Sequence, residues 1–487
     1  MVWGIGNYER DSWSRWAVAL AAKGAYWVLQ VPMLRTFFLG KLLGRLKTTC
    51  QENEDDPDKW RDMSWVTSHL DAFLDRLFRE RPAASKAVLR FLAAYMHDIY
   101  KRTEAERADR PSPITVVIEP TDRCNLNCPG CYAKSTRAGS DVPYERLEAM
   151  IQEVTEMGVS LITISGGEPF LREKSDHSLT RLAERFKDRG FLVYTNGTMI
   201  DEEIANALAR VGNIFPAISI EGFEHQTDAR RGRGIYEANR RARKLLAERG
   251  VLAGFSATIT RDNTESIAAT DDFIDLRIAE GDMFGWFFLI NPIGREPRTD
   301  LMVTAEQRSM LRDAIYRWRA QHRPVLLGDF WNDGPVVGGC IAGGRYYFHI
   351  YANGDISPCV FSPIACGNIF DIINGKSPYK NLAEFIEKHP TFVAFRNAQK
   401  EITDRARPCL LIDNPEKFRH ICRTCEYRPA KNMPKGYLDG EIAKAIDERA
   451  KEWERYVAEK LPPLPSQIEA KPVRSEPAAE RPKAYVS

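Results

Sequence analysis

Between residues 114 and 294, six short β-branched or aromatic runs alternate with helical patterns, and this alternation narrows the possible folds more than any other feature. The runs are ITVVIEP (114–120), LITISGG (161–167), FLVYTNG (191–197), FPAISIEG (215–222), LAGFSATIT (252–260) and WFFLINPIG (286–294). Between them lie stretches such as YERLEAMIQEVTEMG (144–158), where Leu147, Met150, Ile151 and Val154 share one helical face. Regular alternation predicts parallel strands joined by helical crossovers. About six such units favour an α/β fold, a partial (β/α)6 TIM-like barrel, over a doubly wound sheet; chemistry in such barrels gathers at the carboxyl ends of the strands.

The flanks read differently. Residues 1–110 are helical in pattern, and Asp109 to Pro113 forms a linker into the barrel at 111–325. Residues 326–430 are rich in glycine and cysteine, with a hairpin signal at NGD (353–355). A charged helix over 438–459 then leads into a proline-rich tail, within a final segment of 431–487. With 69 basic and 67 acidic residues, no global field points to nucleic acid. In the stretch 17–40, Lys23, Gln30, Pro32 and Arg35 interrupt the apolar run, short of the roughly 20 apolar residues a membrane span requires. Trp13, Trp16 and Trp27 among basic residues suit a helix resting peripherally on the inner face of a membrane. A helix packed on the protein's own core fits equally well.

Ten cysteines cluster rather than scatter. Cys124, Cys128 and Cys131 share the loop CNLNCPGC after the first strand; Cys340, Cys359, Cys409, Cys422 and Cys425 form a late group. Without a secretory signal, such clusters read as metal ligands in a reducing cytoplasm rather than as disulfides. Three thiolates on one loop suit an iron–sulfur cluster with one iron left open; the alternative is a zinc knuckle completed by a distant His or Cys. Cys50 and Cys366 read as ordinary buried residues.

EPTDRCNLNCPGCYA (119–133) resembles the signature of the radical S-adenosylmethionine (radical SAM) superfamily, whose cysteine spacing it reproduces. The resemblance implies that Cys124, Cys128 and Cys131 hold a [4Fe–4S] cluster whose fourth iron binds the amino and carboxylate groups of S-adenosylmethionine (SAM). Reductive cleavage then yields a 5′-deoxyadenosyl radical that takes a hydrogen atom from substrate. One position departs from the family: Gly130 stands where an aromatic residue commonly precedes the third cysteine, and Tyr132 follows it. ISGGEPF (164–170) matches the family's GGEP motif, which assigns Gly166, Gly167 and Glu168 to the methionine amino group. YTNGT (194–198) supplies Asn196, and SIEG (219–222) supplies Ser219 and Glu221 near the ribose and methionine; Glu221 reads equally as a helix-start acid. TDARRGRG (227–234) resembles a His-Asp-x-x-Arg-Gly stretch with Thr227 in place of histidine, so Arg231 is the candidate carboxylate-binding cation, with Arg230 and Arg233 beside it. Thr258 and Asn291 stand near later strand ends.

The spacing from Cys340 through Gly354 to Cys359, followed by Cys409 and Cys422-x-x-Cys425, resembles the SPASM or twitch extensions of radical SAM enzymes. That implies one auxiliary [4Fe–4S] cluster on Cys340, Cys359, Cys409 and either Cys425 or Cys422, with zinc as the structural alternative. An external reductant such as flavodoxin or ferredoxin is implied too. The helical, aromatic and locally basic start favours a lipid or membrane-associated small molecule as substrate. The alternatives are a maturase of a ribosomal peptide or protein, and a non-enzymatic iron–sulfur or zinc protein acting as redox sensor or scaffold. The nucleoside-binding motifs separate the enzyme from that sensor.

Overall fold

The computed structural model describes residues 64–461 except 82–83, 92–93, 95–104 and 106–107. The aromatic stretch 17–40, most of the helical reading beyond residue 91 and the proline-rich tail lie outside the described residues. Helix α1 (Ser64–Glu80) comes first. The six expected strands follow as β1 (Thr115–Ile118), β2 (Leu161–Ile164), β3 (Gly190–Thr195), β4 (Ile214–Ile220), β5 (Gly254–Ile259) and β6 (Phe284–Leu289). They lie in sequence order, each parallel to the next. A seventh, β7 (Leu326–Asp329), adds in parallel to β6.

Each strand sorts its side chains with period two. Ile162 and Ile164 of β2, and Phe191 and Val193 of β3, face a helix-covered core, as do Phe255, Ala257 and Ile259 of β5. Leu161, Thr163, Leu192, Tyr194, Ser256 and Thr258 face the barrel interior instead. In α2 (Tyr144–Glu156), Leu147, Met150, Ile151 and Val154 are all buried, as the helical spacing predicts.

Beyond residue 325 the chain rejoins the same sheet. The NGD turn joins β8 (His349–Ile350) to β9 (Asp355–Ser357) as an antiparallel hairpin. Strand β8 pairs in parallel with β1, so the cysteine-rich stretch borders the strand that leads into the first cysteine loop. A short pairing of β10 (Ile364–Ala365) with β12 (Arg428–Pro429) draws a later segment back, while β11 (Gly367–Asn368) pairs with β9. The charged C-terminal helix spans Glu441–Glu459. Its Trp453 ring lies under the Arg308 guanidinium, 4.3 Å from the centroid.

Helix α1 closes the foot of the barrel. Its Phe73, Leu74, Leu77 and Phe78 pack with Leu192, Phe215 and Phe284, with Leu161 and Trp286 against them. Arg76 fixes the docking by donating to the carbonyls of Asp282 (2.9 Å), Ile278 (2.9 Å) and Pro324 (3.1 Å). Asp282 and Pro324 lie two residues before β6 and β7, so the helix lies across the amino ends of those strands, opposite the cysteine loop.

Candidate active site

The loop after β1 is tied down along its length. Thr121 forms an isolated antiparallel bridge with Asp141 and its Oγ1 donates to Asp141 Oδ1 at 2.5 Å, and Cys124 N–H donates to Thr136 O at 2.9 Å. Arg123 grips Asp141 with two parallel bonds of 2.9 and 2.6 Å. From the far side, Arg295 donates to Cys128 O at 3.2 Å and also to Ser135 O, while its own N–H donates to Cys131 O at 3.0 Å. Lys431, arriving from near the C-terminus, donates to Glu119 Oε2 at 2.6 Å and also to Asp122. His349 Nε2 lies 3.2 Å from the other Glu119 oxygen. Burial would raise the Glu119 carboxyl, but Lys431 and His349 outweigh it and hold it down at about 2.

The glycine–glycine turn after β2 meets this loop backbone to backbone. Gly167 N–H donates to Thr121 O and Glu168 N–H to Arg123 O. A Cβ on Gly167 would sit 1.9 Å from Arg123 O. Gly166, at φ +99°, would bring one to 2.8 Å from Glu119 Cβ. The close approach these glycines permit is therefore, on one side, to the stem of the cysteine loop.

Glu168 is 1% exposed and held in one pose. Its Oε1 accepts from Phe170 N–H (3.0 Å) and Thr195 Oγ1 (2.8 Å), and its Oε2 accepts from Asn196 N–H (2.7 Å). Burial still pushes its pKa up, against those donors and the nearby Arg231 charge. Asn196 also donates to Asn125 Oδ1 at 2.8 Å, and Asn125 donates to Thr198 Oγ1 at 2.8 Å. The end of β3 thereby positions both the carboxylate and the cysteine loop.

Glu221, at the end of β4, stands one step behind the cavity wall. It is 1% exposed; its Oε1 accepts from Arg231 Nε at 2.8 Å and forms ion pairs with Arg231 Nη2 at 2.5 Å and Arg230 Nη1 at 2.8 Å. Two guanidiniums facing one carboxylate leave a net positive charge on the wall opposite the Cys128 and Cys131 thiols. Arg230 and Arg231 line the cavity and Arg233 does not.

A single cavity of about 270 Å3 collects Cys124, Cys128, Cys131, Gly166, Gly167, Glu168, Asn196, Ser219, Arg231, Thr258 and Asn291. Tyr132 lines it too, and its hydroxyl pairs with Ser165 Oγ at 2.5 Å. The late cysteines Cys340, Cys359, Cys409, Cys422 and Cys425 all pack with one hydrophobic cluster. Cys340, Cys359 and Cys409 line an adjoining pocket that shares Trp286, Phe330, Ile341, Tyr347 and Phe361 with the main cavity. Cys422 and Cys425 instead lie near Cys366, which follows β10 and is carried to them by the β10–β12 pairing. Cys366, read from sequence as ordinary, stands beside two of the late thiols. Among the described residues, no three His, Cys, Asp or Glu side chains close on a point as ligands of one ion would. A four-iron cube asks something different of its thiolates, each meeting a separate iron.

A profile of the Radical SAM superfamily matches residues 118–274. The chain is 30% identical over 297 residues to mycofactocin maturase MftC of Mycobacterium tuberculosis, covering 57% of this chain and 72% of that protein. The chain belongs to the radical SAM superfamily. It is an enzyme of that family with a SPASM-like cysteine-rich extension, and the family's cofactors are a [4Fe–4S] cluster and SAM. Fe-coproporphyrin III synthase of Methanosarcina barkeri is 33% identical over 165 residues, 33% of this chain and 40% of that protein. Among solved structures, native anSMEcpe with bound AdoMet and Cp18Cys peptide aligns at a TM-score of 0.49 and 19% identity, covering 72% of this chain and 98% of that one.

The donor set fits the family's cofactors. Three soft thiols face one cavity, with no fourth cysteine on its lining among the described residues, beside a buried carboxylate and a net cationic wall. Sequence reasoning missed Asn125, Arg295 and Lys431, which hold the loop rather than line the site. Only an asparagine between two cysteines was visible in advance; the two cations lie 164 residues or more beyond the third cysteine.

Proposed function

We propose that this enzyme binds SAM at a [4Fe–4S] cluster held by Cys124, Cys128 and Cys131 and takes a hydrogen atom from an uncharged, largely apolar small molecule, a lipid or membrane-associated compound. The observation that carries this reading is one continuous cavity. The thiols, Glu168 and the arginine pair stand at its strand-end rim, while Leu192, Trp286, Phe288, Phe330 and Phe361 surround the remainder. When bound, the cluster supplies the electron that cleaves the sulfonium to the 5′-deoxyadenosyl radical.

The chain's residues bind, orient and shield. Glu168, fixed by three donors, receives the methionine amino group, and the net positive charge of Arg230 and Arg231 receives its carboxylate. Glu221 acts from behind, keeping both guanidiniums in place. Ser219, Thr258 and Asn291 offer polar groups to the nucleoside, and Tyr132 offers its ring. The aromatic side chains keep water from a reactive carbon radical and hold one substrate hydrogen within reach. Cys340, Cys359 and Cys409, one shared wall away, support an auxiliary cluster beside the substrate, and an external reductant such as flavodoxin or ferredoxin would feed the site.

A peptide substrate is the second reading, favoured by the likeness to a maturase. A tetrapyrrole carrying several carboxylates is a weaker fit, because among the described residues the cations on the cavity wall, Arg230 and Arg231, already face Glu221. The test is anaerobic reconstitution with iron and sulfide, then reduction with dithionite in the presence of SAM. The wild-type chain should release 5′-deoxyadenosine, and the Cys124→Ala/Cys128→Ala/Cys131→Ala variant should release none. Equal release by that variant would refute the assignment of the loop.

A further inference from the structure

A TIM-type barrel normally fills its interior with layers of large side chains. This one does not. Thr115, Thr163, Ser219 and Ser256 project inward where branched aliphatic residues would close the lumen, and the cavity continues from the cysteine loop down to Leu161, Leu192 and Trp286. Those three pack at the amino ends of the strands against the cluster built on helix α1, which floors the lumen. From Ser165 at the rim to Leu161 at the floor is four residues of strand, about 13 Å.

The lower lumen has a definite chemistry. The charged side chains on the cavity lining are Glu168, Arg230 and Arg231, all at the rim. Thr115 and Thr163 share one hydrogen bond at 2.9 Å, so the polar groups in the lower lumen are a few neutral hydroxyls. Tyr194, at mid-depth, faces the open space with its ring against Phe288. A charged or strongly hydrated group would lose its solvation there without compensation. At that depth Leu161, Leu192 and Trp286 present an apolar lining.

We infer that the lower barrel is a subsite for a single extended apolar chain, so that the substrate is an uncharged amphiphile or acyl lipid held tail-down with its reacting carbon towards the cysteine loop. This deepens the small-molecule reading above and depends on it for the orientation, but not for the subsite. Residues of small volume set the bore, and helix α1 sets the depth.

The test is isothermal titration of the full-length, reconstituted chain with straight-chain alcohols of six to twelve carbons, with SAM present. Affinity should rise about fourfold per methylene, the value expected for burying a CH2 group, and then stop rising when the chain meets the floor. Ser256→Phe should abolish the gain for the longer alcohols while leaving 5′-deoxyadenosine release without substrate unchanged. Leu161→Ala should move the plateau to longer chains. Affinity that is independent of length, or that climbs without a plateau and ignores both variants, would overturn the subsite; the wild-type series decides this even if a variant fails to fold. A flat series with normal SAM cleavage would sink the subsite alone and favour the peptide reading. Loss of SAM cleavage in the wild-type chain would instead sink the reading on which the orientation rests.

Discussion

Replacing Lys431 by methionine should destabilise the fold far more than an ordinary lysine substitution. Its ammonium sits 2.6 Å from Glu119 Oε2 and also contacts Asp122, and the Glu119 side chain is fully buried. Removing one partner of a buried pair costs about 3 to 5 kcal/mol, because the other charge is left without compensation. A second route gives the same scale. The Glu119 carboxyl is held at about 2 against an ordinary value of 4.5, with Lys431 the largest favourable cause. A depression of that size corresponds to about 3 kcal/mol. The folded pKa lies below the unfolded one, so this stabilisation is present in full above pH 4.5 and lost as the pH falls towards 2. Urea unfolding followed by tryptophan fluorescence should show a large gap between wild type and Lys431→Met at pH 7, narrowing on acidification. Adding Glu119→Gln to Lys431→Met should recover most of the loss. A single variant within about 1 kcal/mol of wild type at neutral pH, the cost range of an exposed pair, would refute the argument that the C-terminal stretch locks the stem of the cysteine loop.

Other variants probe the remaining contacts. Gly167→Ala places a Cβ 1.9 Å from Arg123 O, so the two loops must part, and iron bound after reconstitution should fall well below the wild-type level. Arg295→Ala removes donors to the carbonyls of Cys128 and Ser135; SAM cleavage should drop at least about tenfold, the equivalent of one lost charged hydrogen bond, with little change in the urea midpoint. Arg76→Ala frees helix α1 from three carbonyls, and unfolding should become easier by about 1.5 to 3 kcal/mol while 5′-deoxyadenosine release per folded molecule holds.

The barrel was legible because its signal is local. Six apolar runs bounded by glycine, proline, asparagine or threonine became β1 to β6, and the helical face of Leu147, Met150, Ile151 and Val154 became buried core. Strand β7, LLGD, escaped notice because four residues with a glycine and an aspartate carry no usable alternation. The cysteine loop and ISGGEPF were visible as motifs, since their residue types and spacing serve the chemistry directly. Their supports were not. Arg295 and Lys431 act through contacts more than 150 residues away in sequence, and a lone cation in a loop looks the same whether solvated or buried. Glu221 illustrates the same limit: position at a strand end could not tell a group facing the cavity from one that braces two arginines behind its wall. Cys366 looked unremarkable until the pairing of β10 with β12 brought it to Cys422 and Cys425.

The most direct test of the central claim is electron paramagnetic resonance of the reduced, anaerobically reconstituted protein before and after addition of SAM. A site-differentiated cluster on Cys124, Cys128 and Cys131 should give a signal whose g-values shift when the nucleotide takes the open iron. A spectrum that SAM leaves unchanged would contradict the account.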